Sequence, residues 1–294
     1  MEYQSTDQIL SRLADVYSDL SPKLRRAAEY VLNNPNEVGV QSMRQLAASA
    51  DITPNTLVRM ARAIGFEGYK DFSEPFRERL IKGGENFPDR ARWLQSLSET
   101  GSHGHLFSQM AAAGMANTEQ LFSGTTADDL KRAADAIVEA ETAYVLGVGS
   151  AYSLAHIFWY VGRMAMDNLM QVPRTGNIPI DDIARIGPKD VLLAVTVSPY
   201  RREVVHAVEL ATRRKATVIA VTDSRASPIA RLATQTFVIP TSTPQFFPSL
   251  GAGFQLMEAL LAFVVADADP RVIANIESFH DFRYETGVYL QDGE

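Results

Sequence analysis

The chain has 294 residues, of which 46% are hydrophobic and 21% charged, and its formal net charge at pH 7 is −7. This length fits one large or two ordinary globular domains. The chain has no cysteine, which excludes disulfides, thiol catalysis and cysteine-ligated zinc and favours a cytoplasmic protein. The acidic balance argues against a surface coated in nucleic acid but allows a small basic face. No apolar run is long enough to predict a membrane span, so we expect no membrane partner.

Residues 1–80 have the pattern of a helical unit. Ser42 and Gln45 form a capping-box pattern that opens a short helix. Asp51 follows in a predicted turn, and Thr53-Pro54 has the residue pair that begins a further helix. Two helices joined by a turn of a few residues are the helix-turn-helix pattern.

The second helix of this pair separates its apolar and polar side chains. Its apolar stripe consists of four residues at helical spacing: Leu57, Met60, Ala61 and Ile64. The polar side is expected to enter the major groove of DNA, as a recognition helix does. We assign DNA contacts to Thr53, Asn55, Thr56, Arg59 and Arg62, with Tyr69 and Lys70 as downstream phosphate contacts. Arg59 suits guanine edges and Asn55 adenine edges; the alternative is an ordinary solvated surface helix.

The segments Leu46–Arg59 and Ile64–Tyr69 resemble the N-terminal domain of RpiR-type (MurR/RpiR) bacterial transcription regulators. In that family the second segment reads Leu/Ile-Gly-Phe-x-Gly-Tyr/Phe after the recognition helix. Asp51 stands where many helix-turn-helix proteins have glycine, and aspartate tolerates the left-handed backbone that such a turn needs. The resemblance implies that the partner is a double-stranded DNA operator.

Residues 81–104 are predicted to be a linker, because glycine and proline interrupt them repeatedly. Trp93 and Leu94 indicate a short helix within this segment. His103 and His105 have the spacing of a metal-binding pair, but no nearby Cys, Asp or Glu cluster completes a site. We therefore predict no metal.

From residue 105 onward, strand and helix patterns alternate. Apolar runs predict five strands at 143–146, 169–172, 191–197, 218–221 and 237–239. Helical patterns lie at 106–122, 127–138, 154–161, 204–214, 228–232 and 249–266. Such alternation predicts a parallel sheet with helices on both faces, which binds ligands at the carboxyl ends of its strands. The loops expected at that edge are 147–150, 196–203 and 222–227.

The turn after the first strand reads Gly147-Val148-Gly149-Ser150. Two glycines free the backbone for a tight turn, and Ser150 is placed to cap the next helix. Such a helix start can bind an anion with its N–H groups, although close strand–helix packing explains the glycines equally well. Tyr152 takes the place of the third glycine of the dinucleotide fingerprint, so NAD is disfavoured and no cofactor is predicted.

Residues 106–266 resemble a sugar isomerase (SIS) domain. The matching segments are Gly147–Ala155, Thr196–Glu203 and Val218–Ala230. The resemblance implies phosphosugar binding and self-association, as a homodimer or tetramer. The second loop of that family usually reads Ser-x-Ser-Gly-x-Thr-x-Glu. In this chain Pro199 replaces the glycine and Arg201 replaces the threonine.

These two replacements change the chemistry of the loop. Proline removes a backbone N–H that would otherwise donate to a phosphate, and arginine adds a permanent, planar positive charge. Arg201 can bind either a phosphate or a carboxylate, and its alternative role is an ion pair with Glu203. We assign effector binding to Gly149, Ser150, Thr196, Ser198, Arg201 and Glu203.

The sequence thus predicts an α/β fold plus an all-α fold. Residues 1–80 are expected to form a helix-turn-helix DNA-binding domain, 81–104 a linker, and 105–294 a SIS domain for effector binding and oligomerisation. We expect a DNA-binding transcriptional regulator whose SIS domain binds a small anionic effector, a phosphosugar or a related sugar or organic acid.

A phosphosugar isomerase or lyase of the SIS type is the alternative function. Isomerisation needs a positioned base near the anion, and the available side chains are Glu203, His206 and Glu258. No pair of them has a distinctive spacing, and His156 lies in an apolar helix pattern. The helix-turn-helix decides for regulation, so we assign no catalytic residue and expect no enzyme activity.

Overall fold

The computed structural model describes residues 6–82, 87–99, 103–266 and 268–288. The chain forms two compact units, which are named here the N-terminal unit and the sheet unit. The N-terminal unit takes in the chain up to Ala113 together with Ser242–Pro248, and the sheet unit takes in Gly114–Thr241 and the chain from Ser249. The first boundary lies within a single long helix, α8 (His103–Gly124).

Helices make up the N-terminal unit. They are α1 (Thr6–Asp15), α2 (Pro22–Asn33), α3 (Pro35–Val40), α4 (Met43–Ser49), α5 (Pro54–Ala63), α6 (Tyr69–Lys82) and α7 (Phe87–Glu99). Apolar side chains from α1 to α6 form one core, and its fully buried members include Ile9, Leu13, Ala28, Val31, Leu46, Leu57, Met60 and Phe72. The predicted helical fold of this region is confirmed.

Local chemistry sets the ends of α4 and α5. Ser42 and Gln45 form the predicted capping box at the start of α4. Asp51 has the expected left-handed backbone, with φ of 51°. At the end of α5, Gly65 has φ of 101°, and the N–H groups of Gly65 and Phe66 bond back to Arg62 and Ala61. These two hydrogen bonds form the glycine C-cap that terminates many helices.

Two helices of this unit escaped prediction because each contains a proline. Pro35 occupies the first turn of α3, where no N–H is needed. Pro75 lies inside α6, where a proline ordinarily breaks the helical pattern.

The sheet unit contains five parallel strands in the order β2-β1-β3-β4-β5. They are β1 (Ala143–Gly147), β2 (Leu169–Val172), β3 (Val191–Val195), β4 (Thr217–Thr222) and β5 (Gln235–Val238). The accompanying helices are α9 (Ala127–Glu139), α10 (Tyr152–Gly162), α11 (Pro179–Asp182), α12 (Arg202–Arg213), α13 (Gly251–Ala266) and α14 (Pro270–Glu285). The predicted parallel sheet with flanking helices is confirmed.

Helices cover both faces of the sheet. Val145 and Leu193 belong to the core formed with α9, α10 and α13. Leu146 and Leu192 belong to the core formed with α12 on the other face. Because alternate residues of a strand point to opposite faces, the central strands are buried throughout and read as continuous apolar runs.

One local prediction is wrong, and two helices of this unit were not predicted. Residues 228–232 form turns instead of a helix, and the Ser227 hydroxyl accepts the N–H of Ala230 within this segment. The short helix α11 and the helix α14 were not predicted. Of the described helices, no single one is long and apolar enough to cross a membrane, and only the bent pair α13–α14 passes that test jointly.

Candidate functional site

The helix-turn-helix consists of α4, a turn at residues 50–53 and α5. On α5, Leu57 and Met60 are fully buried, whereas Asn55 and Arg59 are exposed. The apolar stripe therefore fixes the helix to the core and leaves the opposite side open. The exposed residues among the predicted DNA contacts are Thr53, Asn55, Arg59, Arg62 and Lys70.

Thr56 does not point outward as predicted. It is only 8% exposed, and its hydroxyl lies 2.9 Å from the hydroxyl of Thr53. Thr56 precedes Met60 by four residues, so the two side chains share one side of the helix. Its hydroxyl ties the first turn of α5 to the preceding turn residue.

The predicted phosphate contact of Tyr69 is also wrong, because this side chain is buried. Its ring is 7% exposed and packs 5.9 Å from the Phe72 ring. Burial raises the pKa of Tyr69 far above its ordinary value. Tyr69 therefore anchors the segment after α5, and Arg62 supports that segment by donating from Nε to the Glu67 carbonyl at 3.1 Å.

The carboxyl ends of β1 and β3 are the second candidate site. These strands are neighbours in the sheet. The chain runs from β1 to β2 on one side of β1 and then crosses to β3 on the other side. The winding of the sheet thus reverses between β1 and β3, where open α/β sheets bind their ligands.

Each glycine of the turn after β1 has its own structural reason. A Cβ on Gly147 would collide with the Ala151 carbonyl and lie 2.9 Å from the Ala155 Cβ. Gly149 has a left-handed backbone with φ of 64°. Ser150 lies inside a 3-10 turn that leads into α10, and the N-cap of α10 is Ala151. The prediction that Ser150 caps this helix is therefore wrong. Ser150 is exposed in the 3-10 turn that precedes α10.

Thr196 supports the loop after β3 from the protein interior. This residue is 1% exposed, and its hydroxyl accepts the backbone N–H of Arg201 at 3.2 Å. Thr196 therefore shapes the loop without presenting its hydroxyl to solvent. Ser198 is half-buried, and its N–H donates to the Asp223 Oδ2 at 3.3 Å.

Arg201 lies between the two loops. It is the N-cap residue of α12, and its Nη2 donates to the Glu203 Oε1 at 2.9 Å. Its Nη1 lies 3.9 Å from the position that a Cβ would take on Gly149. Hydrogen bonds from the Glu203 amide and from Arg201 lower the pKa of the Glu203 carboxyl. The ion pair considered from the sequence is present, and the same guanidinium also faces the turn after β1.

Asp223 is the residue of this edge that the sequence analysis missed. It follows β4, and the Thr222 hydroxyl donates to its Oδ1 at 3.3 Å. Burial, together with the charge and hydrogen bond of Asp223, raises the pKa of Tyr200 to about 12. Because β3 and β4 are adjacent, a polar residue just after β4 was a natural candidate.

The side chains considered as catalytic bases lie in different places, and Glu203 is the one at the candidate edge, where it is paired with Arg201. His206 and Glu258 are exposed on α12 and α13. The His156 Nδ1 lies 3.2 Å from the Gln171 Oε1, and its ring stacks on Tyr152. Within the described ranges, His, Cys, Asp and Glu residues form no group that could hold a metal ion.

Comparison with known families decides the affiliation. Residues 7–80 match the helix-turn-helix domain of the rpiR family, and residues 136–266 match the SIS domain. The chain belongs to the RpiR family.

Relatives of this RpiR-family chain are named as regulators. An uncharacterized HTH-type transcriptional regulator of Haemophilus influenzae is 25% identical over 237 residues, covering 76% of this chain and 77% of that protein. The HTH-type transcriptional regulator HexR of Escherichia coli is 24% identical over 260 residues, covering 84% of each chain.

A solved structure shares the fold. The Vibrio vulnificus NanR protein complexed with ManNAc-6P superposes with a TM-score of 0.55 at 23% identity, covering 95% of this chain and 98% of that one. This similarity establishes a common architecture.

Proposed function

We propose that this RpiR-family protein is a cytoplasmic DNA-binding transcriptional regulator. Its SIS domain binds a small anionic effector, which changes the affinity of the helix-turn-helix for a double-stranded operator. The observation that carries this proposal is the combination, in one chain, of a helix-turn-helix with an exposed polar face and a sheet edge where Arg201 faces the turn at Gly149. We retain the functional division into residues 1–80, 81–104 and 105–294.

The DNA contacts are proposed for the exposed side of α5 and its flanks. Arg59 reads a base in the major groove, supported by Asn55 and Arg62. Thr53 and Lys70 bind phosphates. Thr56 acts indirectly, since its buried hydroxyl fixes the Thr53 hydroxyl at the start of the recognition helix.

The effector site is proposed for the edge at β1 and β3. Ser150, Ser198 and the Gly149 backbone offer polar groups, and Arg201 supplies the charge. The first turn of α12 adds a favourable dipole beside Arg201. Thr196 supports the loop from inside. The Vibrio vulnificus NanR protein, which shares this fold, is complexed with ManNAc-6P, and this supports a small anionic ligand for the present chain.

Self-association as a dimer or tetramer is part of the proposal. One helix-turn-helix makes few contacts, so useful specificity requires two copies on paired half-sites. Met115 and Phe122 are seven residues apart on one side of α8 and are 73% and 48% exposed. Exposed apolar side chains of this kind suit a contact between copies. Sedimentation of the full chain as a monomer at micromolar concentration would contradict this part.

A SIS-type isomerase or lyase is the competing function. It would need a base aimed at the bound sugar. Of the side chains considered for that role, His206 and Glu258 are exposed on helices and Glu203 is paired with Arg201. Turnover assays on common sugar phosphates separate the two functions, because a regulator leaves every substrate unchanged.

DNA binding is tested by fluorescence anisotropy with DNA from upstream of the protein's own gene and with random DNA. Arg59→Ala should cost about 1–3 kcal/mol on the specific DNA and relax the preference at one base pair. Lys70→Ala should weaken both DNAs alike and reduce the salt dependence. Equal losses on both DNAs for Arg59→Ala would demote Arg59 to a phosphate contact, and no binding by the wild type would contradict the function.

A further inference from the structure

The loop after β3 has few backbone N–H groups left for a ligand. Pro199 has none, the N–H of Ser198 donates to Asp223, and that of Arg201 donates to Thr196. Phosphate sites in loops of this kind rely on several converging backbone N–H groups. Three of the four positions 198–201 thus offer no backbone N–H to a phosphate.

A carboxylate is built into the same loop. Asp223 accepts the Ser198 N–H and the Thr222 hydroxyl, and it forms a hydrogen bond with Tyr200. These bonds hold its negative charge beside the loop. A phosphate monoester carries a charge of about −1.5 to −2 at neutral pH, so Asp223 repels it more strongly than it repels a monoanion.

The positive charge at this edge is limited. Arg201 already donates from Nη2 to the Glu203 carboxylate, and Asp223 adds a second carboxylate beside the loop. The charge of the neighbouring Arg202 also acts on Glu203. The Nη1 group remains directed toward the turn at Gly149. The Nη1 group can donate to one oxygen of a carboxylate, whereas the Glu203 and Asp223 carboxylates repel a phosphate dianion more strongly than they repel a monoanion.

We propose that the effector is a hydroxylated carboxylic acid, such as an aldonate or a uronate, whose carboxylate binds Arg201 beside the Gly149 turn. The hydroxyl groups of the acid donate to Asp223 and Ser198. A carboxylate has about four acceptor positions, so Asp223 can accept a ligand hydroxyl in addition to its present donors. This inference rests on the proposed effector site and specifies its ligand class.

Calorimetry on the full chain tests this ligand class with D-gluconate, D-glucuronate, D-glucose 6-phosphate and D-glucose. We expect at least one of the acids to bind, glucose 6-phosphate to bind about tenfold more weakly or worse, and neutral glucose not to bind. Arg201→Ala should weaken binding of the acid at least about tenfold. The neighbouring exposed Arg202→Ala is the matched control and should bind the acid as the wild type does.

Asp223→Asn gives a second, opposite readout. The amide oxygen can still accept the Ser198 N–H, but the negative charge is gone. We expect this variant to bind glucose 6-phosphate about tenfold more tightly than the wild type does. Thermal unfolding of each variant checks that the fold is intact.

The outcomes separate the inference from the function on which it rests. Tighter binding of glucose 6-phosphate than of both acids, lost in Arg201→Ala, overturns the ligand class and leaves the effector site standing. Failure of both acids and the phosphate to bind overturns the ligand class and the effector site together. Unchanged binding of the acid by Arg201→Ala overturns the role of Arg201.

Discussion

The recognition helix and the effector edge present arginines in different ways. Arg59 is exposed on a helix whose opposite side is buried, so the orientation of the helix alone directs this side chain away from the core. Arg201 is held by its own backbone bond to Thr196 and by a side-chain bond to Glu203, and it faces a turn more than fifty residues earlier in the chain. A DNA-reading surface can therefore come from one periodic segment, whereas a ligand site requires contacts between separate strand ends.

The largest effect is expected from the buried side of α5. Leu57→Ala removes a fully buried side chain and should lower the free energy of unfolding by about 2–5 kcal/mol. Arg59→Ala, on the exposed side, should change it by no more than about 0.5 kcal/mol. Chemical denaturation followed by circular dichroism measures both variants. Similar losses for the two would show that α5 is not oriented as described.

An intermediate effect is expected at the turn after β1, where two glycines can be compared. Gly147→Ala places a Cβ against the Ala151 carbonyl, which should cost about 1–3 kcal/mol of stability because backbone must move. Gly149→Ala meets no atom closer than the Arg201 Nη1 and should cost about 1 kcal/mol, from its left-handed backbone. Thermal unfolding compares them, and a larger loss for Gly149→Ala would contradict the packing described for Gly147.

A further contrast separates a buried aspartate from an exposed one. The side chain of Asp182 is fully buried and accepts bonds from the Arg174 N–H, the Arg174 Nε and Asn177. Burial alone would raise the pKa of Asp182, but these hydrogen bonds outweigh it and lower the pKa below its ordinary 3.8. The folded state therefore gains stability from this carboxylate above pH 3.8 and loses it as the pH falls through the lowered pKa.

Asp182→Asn should cost about 1–3 kcal/mol at neutral pH and flatten the loss of stability below pH 3.8. Asp51→Asn is the control, since Asp51 and its partner Arg26 are both exposed and such pairs contribute about 0–1 kcal/mol. Unfolding free energies measured from pH 7 downward test the contrast. Identical pH profiles for Asp182→Asn and the wild type would contradict it.

Sequence periodicity accounts for most of the fold. Apolar runs and capping residues predicted all five strands to within a few residues, because both faces of the sheet are covered and each strand must be apolar throughout. Pro35 and Pro75 concealed α3 and α6, since a proline ordinarily argues against a helix.

The candidate sites were less accessible to sequence reasoning. Thr56 is small and polar, so composition suggested an exposed position, but its spacing from Met60 places it inward. The contact of Asp223 with the loop after β3 depends on the pairing of β3 with β4, which no local pattern encodes. Thr56 and Thr196 were both assigned to ligand contacts from the sequence, and their burial in the folded chain shows that they support the two sites from inside.

The central claim is that a ligand at the β1–β3 edge changes DNA affinity. Its most direct test is the Kd for DNA from upstream of the protein's own gene, measured by anisotropy with and without a saturating acid identified by calorimetry. We expect the acid to change the Kd of the wild type by about 5–150-fold and to leave that of Arg201→Ala unchanged. The same Kd for the wild type with and without the bound acid would contradict the claim.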